Sequence, residues 1–120
     1  DMARSLASGE CQTNAPDAPP SICDALMATT PGTITFPIAR ELLSGGLSVT
    51  DAEVRSAVRF AFETLKLVVE PGGAASLAAV LGGRIETRGK TVCLILSGGN
   101  IAPELFAEII TTRAATDEPG

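Results

Sequence analysis

The chain contains no histidine, no tryptophan and no tyrosine, and only four phenylalanines among its 120 residues. The missing histidine removes the commonest general base and any metal site built on imidazole. The scarcity of aromatics leaves the core to be built from aliphatic side chains and alanine, with elements packed closely. Basic residues are short as well: nine Lys and Arg stand against fourteen Asp and Glu, a formal net charge of -5. A nucleic-acid partner would require a basic stripe, and the sequence has none. No apolar run approaches the ~20 residues of a membrane span. The opening DMARSLASGE reads as neither a signal peptide nor a transit peptide. The three cysteines, Cys11, Cys23 and Cys93, are odd in number and fit neither a metal ribbon nor a redox pair. They point to a reduced, cytoplasmic setting. Cys93, inside an apolar segment, reads as a small buried hydrophobe.

What is present is a chain 45% hydrophobic and long enough for one compact domain with one core. Residues 1–10 read as a short helix ending near Gly9, with Met2 and Leu6 on one face. Residues 11–35, rich in Pro, Asn, Asp and Thr, read as a long loop that the apolar insert ICDALM docks into order; a linker is the alternative. FPIARELL, residues 36–43, looks helical, with Pro37 early and Ser-Gly-Gly closing it. LSV, residues 47–49, is a short strand candidate. Thr50, Asp51, Ala52 and Glu53 spell a capping box for a helix running to about Lys66. Val54, Val58, Ala61 and Leu65 form its apolar stripe, and Arg55, Arg59 and Glu63 a solvated face.

The second half is built of smaller residues. Glu70 and Pro71 open a helix made of Gly, Ala, Ser, Leu and Val, which can approach its neighbours closely, and Gly82 and Gly83 stop it. RIETRGK is a polar turn. TVCLIL, residues 91–96, is the best strand in the chain, and its unbroken apolar character suits a strand covered on both faces of a parallel sheet. Residues 103–113 are the last helix, and 114–120 a frayed tail.

The strand candidate ends on Ser97-Gly98-Gly99-Asn100. A strand, a glycine loop and a helix is the arrangement that binds ligands at the carboxyl ends of strands in open α/β sheets. Glycine admits a close approach of backbone to ligand. The Ser97 hydroxyl can donate or accept a hydrogen bond with a heterocycle nitrogen or another small polar group. A tight turn satisfied by Ser and Asn explains the same four residues equally well. The segment is neither a Walker phosphate loop nor GxGxxG. Glu70 is the second candidate, although the helix dipole alone would favour a carboxylate there.

SICDALMATTPGTITFPI, LKLVVEPGGAASLAAVL and TVCLILSGGNI, taken together and in this order, resemble the C-terminal part of the catalytic domain of the threonine dehydratase and serine racemase family. These are pyridoxal-phosphate enzymes of the tryptophan synthase β fold type. The resemblance runs from Asp1 to about Phe106. It implies an α/β fold: a partial, open, mainly parallel sheet flanked by helices, part of a three-layer α/β/α domain. It also implies that Ser97, with Gly98 beside it, hydrogen-bonds the pyridine nitrogen of the cofactor, and that Glu70 lies close to the cofactor ring. Ala25, in place of the family's usual glycine, borders the cofactor. Asp1 matches a ligand of a divalent cation, Mg or Ca. A neutral hydroxyl at the pyridine nitrogen tunes the cofactor toward β-elimination.

Two family features have no match here. The Ser-x-Lys-x-Arg-Gly segment with the Schiff-base lysine is missing, since Lys66 falls on a helix and Lys90 in a turn; so is the glycine run that grips the phosphate. The resemblance therefore implies one wall of an active site, incomplete alone and without a catalytic residue of its own. It would be completed by a missing N-terminal part or a complementary chain. In the complete enzyme it implies a dehydratase acting on a small hydroxy amino acid and releasing a 2-oxo acid and ammonia. Racemisation of serine or dehydration of 3-hydroxyaspartate uses the same parts, and family members are commonly homodimers. A non-catalytic binding or interaction module is the rival reading.

Overall fold

The computed structural model describes residues 1–112, so the expected tail at 114–120 lies outside the described residues. The chain divides into two compact units, Asp1–Ser48 and a second that begins at Val49.

In the first unit, helix α1 (Met2–Ser8) is capped by the Asp1 carboxylate, which accepts from the Met2 N–H at 2.7 Å, and it ends at Gly9 with φ of 77°. Only glycine adopts that left-handed stop without a Cβ penalty. Ser5 is fully buried and satisfied: its hydroxyl donates to the Asp1 carbonyl at 2.9 Å and accepts from the Gln12 N–H at 2.8 Å. Helix α2 (Thr35–Leu42) places Pro37 in its first turn, where the missing N–H costs nothing, and packs on α1. Cys23, Pro31 and Phe36 are the buried apolar side chains of this unit. Between the helices, residues 11–34 contain one 3-10 turn, Asp24–Leu26.

The second unit is organised by helix α3 (Asp51–Phe60). The capping box is formed in full. The Glu53 N–H donates to the Thr50 hydroxyl at 3.2 Å, and Glu53 Oε2 accepts from the Thr50 N–H at 2.7 Å. Arg84 donates to the same carboxylate at 2.7 Å. The Thr50 N–H first, and then the guanidinium of Arg84, hold the Glu53 carboxyl below its ordinary value. The helix continues into a π turn, Ala61–Leu65, and stops at Lys66 with φ of 60°. The wider turn breaks the 3.6-residue register. Val54, Val58 and Ala61 are accordingly buried while Leu65, the expected fourth member of the stripe, is exposed.

Helix α4 (Ala75–Leu81) follows a 3-10 turn, Gly72–Ala74, and both α4 and α5 (Pro103–Thr111) pack on α3. Ala57 of α3, Ala74 of the 3-10 turn and Ala78 of α4 are all but inaccessible, so the alanine-rich pattern does what such a pattern predicts: small side chains let packed elements close up. Ile109 brings α5 into this core. The face expected to be merely solvated does more. Arg55 pairs with Glu108 at 2.8 Å, and Arg59 donates to the carbonyls of Ile109 and Thr112 at the end of α5. The Phe62 and Phe106 rings meet edge to face at 5.2 Å.

The expected α/β sheet is absent: among the described residues there is no β-strand. Residues 47–49 and 91–96, the two strand candidates, carry no regular secondary structure. A strand is defined by a ladder with a neighbour, not by its own side chains, and neither segment has a neighbouring strand among the described residues. The two-sided burial that an unbroken apolar run suggested is also missing. Val92 is 41% and Ile95 76% exposed. Cys93, expected to be buried, is exposed for the same reason.

Candidate functional site

The Ser-Gly-Gly-Asn segment lies in the second unit and is gripped along one side by the start of the helix that follows Glu70. Upstream of the loop, the Ser76 hydroxyl donates to the Ile95 carbonyl at 2.9 Å. Next, the backbone of Gly73 passes so close to Ser97 that a Cβ at Gly73 would run into the Ser97 carbonyl oxygen. Then the Glu70 N–H donates to the Gly98 carbonyl at 3.1 Å. Finally, Glu70 Oε2 accepts from the Asn100 N–H at 3.0 Å. Glu70, Gly73 and Ser76 stand three apart, the spacing that brings successive turns of a tight helix to one side.

The two loop glycines are required by the protein's own atoms. Gly98 has φ of 94°, and a Cβ there would lie 2.7 Å from Glu70 Oε1. A Cβ at Gly99 would lie 2.8 Å from the Val68 carbonyl oxygen. The space that two missing side chains leave is thus filled by the Glu70 carboxylate and the backbone at Val68. The Ser97 hydroxyl is different: it is exposed, and among the described residues nothing hydrogen-bonds it.

The structure therefore brings Ser97, Gly98 and Glu70 together. It turns the Glu70 carboxylate onto the loop itself. Ala25 and Asp1 belong to the first unit. Ala25 is exposed in the 3-10 turn, its N–H held by the Asp24 carboxylate at 2.7 Å. The Asp1 carboxylate serves as the cap of α1. Among the described residues no group of three His, Cys, Asp or Glu comes close enough together to hold a metal ion. Lys66, one of two lysines in the chain, donates to the Glu63 carbonyl at 2.7 Å. Gly73 and Ser76 were not singled out from the sequence. The signal that could have found them is the repeat of Glu, Gly and Ser at every third position of EPGGAAS.

Comparison with known proteins agrees with the motifs. Residues 1–98 match the family described as pyridoxal-phosphate dependent enzyme. The serine racemase of Dictyostelium discoideum is 38% identical over 92% of this chain and 34% of its own length. An L-threo-3-hydroxyaspartate ammonia-lyase from Pseudomonas sp is 38% identical over 78% of this chain and 30% of its own. Among solved structures, the T.th. threonine deaminase superposes with a TM-score of 0.76 at 39% identity, over 85% of this chain and 34% of that one. The chain belongs to the pyridoxal-phosphate dependent enzyme family. Within it, the similarity falls in the serine racemase and threonine ammonia-lyase group. The chain spans about a third of the length of the curated relatives it matches here.

Proposed function

We propose that this chain forms the pyridine-nitrogen wall of the cofactor site in a pyridoxal-phosphate-dependent lyase acting on a small hydroxy amino acid. The carrying observation is the Ser97 hydroxyl, exposed and without a partner among the described residues, at the tip of a loop held firmly from beneath. A hydroxyl can meet a ring nitrogen in either role, as donor or acceptor. Pyridoxal phosphate, when bound, supplies the electron sink that makes the bond to the α-hydrogen weak. This chain's part is to hold the ring's nitrogen end with a neutral group. The lysine and the phosphate grip have no counterpart in its sequence, so the residues present fit one end of the cofactor only. Completion by an upstream part or a complementary chain is part of the proposal, as is elimination to a 2-oxo acid and ammonia. Serine racemisation and 3-hydroxyaspartate dehydration remain within the same reading.

The test joins this sequence in frame behind the corresponding upstream part of the Dictyostelium serine racemase. The hybrid should retain pyridoxal phosphate through gel filtration and release a 2-oxo acid from L-serine or L-threonine. Ser97→Ala should weaken cofactor retention by about fivefold, the equivalent of one hydrogen bond of ~1 kcal/mol. A folded hybrid that retains no cofactor, or a Ser97→Ala variant indistinguishable from the parent, would sink the proposal.

A second reading, a non-catalytic module covered by a partner, draws on a different observation. Leu67, Val68, Val92 and Ile95 are each between 41% and 76% exposed in the second unit, apolar surface that a partner would cover. A hybrid that keeps the cofactor but turns over none of these amino acids would favour it.

A further inference from the structure

We propose that Glu70 is a positioning residue: it acts on Ser97 by locking the loop that carries it, and not through its charge on the cofactor ring. The inference rests on the reading of Ser97 given above. Three observations converge on it. Glu70 holds the loop at two points, its N–H donating to the Gly98 carbonyl at 3.1 Å and its Oε2 accepting from the Asn100 N–H at 3.0 Å. These are the residues one and three places beyond Ser97, so the turn cannot rotate without breaking one of the two bonds. The other carboxylate oxygen fills the position of the Cβ that Gly98 lacks, 2.7 Å from where that atom would stand. With φ of 94°, Gly98 adopts a conformation other residues rarely reach, and the carboxylate closes the only side on which a substitute could grow.

One carboxylate oxygen, Oε2, is thus bonded to the loop, and the other, Oε1, lies against Gly98. The backbone ahead of it is committed as well: Gly73 closes on the Ser97 carbonyl, and Ser76 ties the Ile95 carbonyl. The Ser97 side chain remains free at this corner. A group whose N–H and one carboxylate oxygen fix a backbone, next to a hydroxyl whose capacity is unspent, acts through that hydroxyl. The role requires an acceptor of carboxylate shape at residue 70, and it does not require the negative charge. Glutamine should therefore replace Glu70, and alanine should not.

Amide hydrogen exchange on the full 120-residue chain, free of cofactor, tests the lock directly. Glu70→Ala should speed exchange at Asn100 by roughly fivefold or more, the loss of one net hydrogen bond, with the amides of Val58 and Ile109 unchanged as the control for folding. Glu70→Gln should stay within about twofold of the parent, because its amide oxygen can still accept. Gly98→Ala, which drives a methyl against Glu70 Oε1, should free Asn100 in the same way and serves if Glu70→Ala fails to fold. Unchanged Asn100 exchange in the folded Glu70→Ala variant would overturn the proposal.

The link to Ser97 is read in the hybrid described above. Glu70→Ala should weaken cofactor retention, Glu70→Gln should restore it, and Glu70→Ala combined with Ser97→Ala should cost no more than Ser97→Ala alone. Additive losses would mean that Glu70 reaches the cofactor independently, and the positioning role would fall. If Ser97→Ala alone has no effect, the reading of Ser97 fails instead, and the exchange result on the cofactor-free chain still decides the lock.

Discussion

Replacing Gly73 by alanine sets two physical effects of opposite sign against each other. Gly73 lies within a helical turn and has no positive φ, and by helix propensity alone alanine there should stabilise the fold by about 0.5–1 kcal/mol. The structure predicts the reverse. The new Cβ would collide with the Ser97 carbonyl oxygen, would lie 2.9 Å from the Ser97 carbonyl carbon and would lie 3.1 Å from the Gly98 oxygen. All three are backbone atoms, so no flexible side chain can swing aside. Overpacking of this kind costs about 1–3 kcal/mol, and the net effect should be a loss of about 0.5–2 kcal/mol after the propensity gain is subtracted. Gly45→Ala is the matched control: a Cβ there meets nothing within 4 Å, and its φ is not positive. It should be neutral or stabilising by a few tenths up to about 1 kcal/mol, through the unfolded state. Each substitution is read in its own unit by amide hydrogen exchange and confirmed by urea unfolding followed by circular dichroism. A Gly73→Ala chain that matches or exceeds the parent in stability would refute the close packing of the Glu70 turn on the Ser97 loop.

Other consequences can be checked with the same assays. Thr50→Ala removes the hydroxyl that caps α3 and should cost about 1 kcal/mol. Glu53 has its carboxyl held below its ordinary value when folded, so its contribution is present above the unfolded carboxylate pKa and fades as pH falls through the lower folded one. The stability gap between the parent and Glu53→Gln should therefore be full at neutral pH and close in acid; a gap that widens in acid would contradict the assigned contacts. Ile109→Ala, at a site 1% exposed, should cost about 2–5 kcal/mol, whereas Ile95→Ala, 76% exposed, should change the stability of this chain by less than about 0.5 kcal/mol.

The helices were legible because their signals are local. Asp1 and Gly9 bracket α1, Thr50 and Glu53 start α3, and Pro37 and Pro103 sit in the first turns of α2 and α5, each through atoms within four residues of one another. The sheet was not legible in the same way. The apolar run at 91–96 states that a strand is compatible with its side chains, but a ladder needs a neighbour, and no local pattern supplies one. The π turn at Ala61–Leu65 shows the same limit on a smaller scale. The stripe through Val54, Val58 and Ala61 obeys the helical period, and one widened turn then carries Leu65 out of it.

At the candidate site the division is finer. Ser97, Gly98 and Glu70 were recognisable as residue types in motifs, and those motifs carried the family. Their division of labour was not recognisable. From the sequence, two glycines read as room for a ligand, and Glu70 read as a group facing the cofactor ring. In the folded chain, Glu70 and the carbonyl of Val68 occupy the space beside those glycines, and the hydroxyl of Ser97 is left over. The order of residues by itself determined the capped helices, the small-residue make-up of the helix after Glu70 and the kinship to pyridoxal-phosphate enzymes, because these depend on near neighbours and on motif order. Only the tertiary structure decided which polar groups are spent and which remain free. That balance is struck between segments thirty residues apart, where a carboxylate at position 70 meets an N–H at position 100.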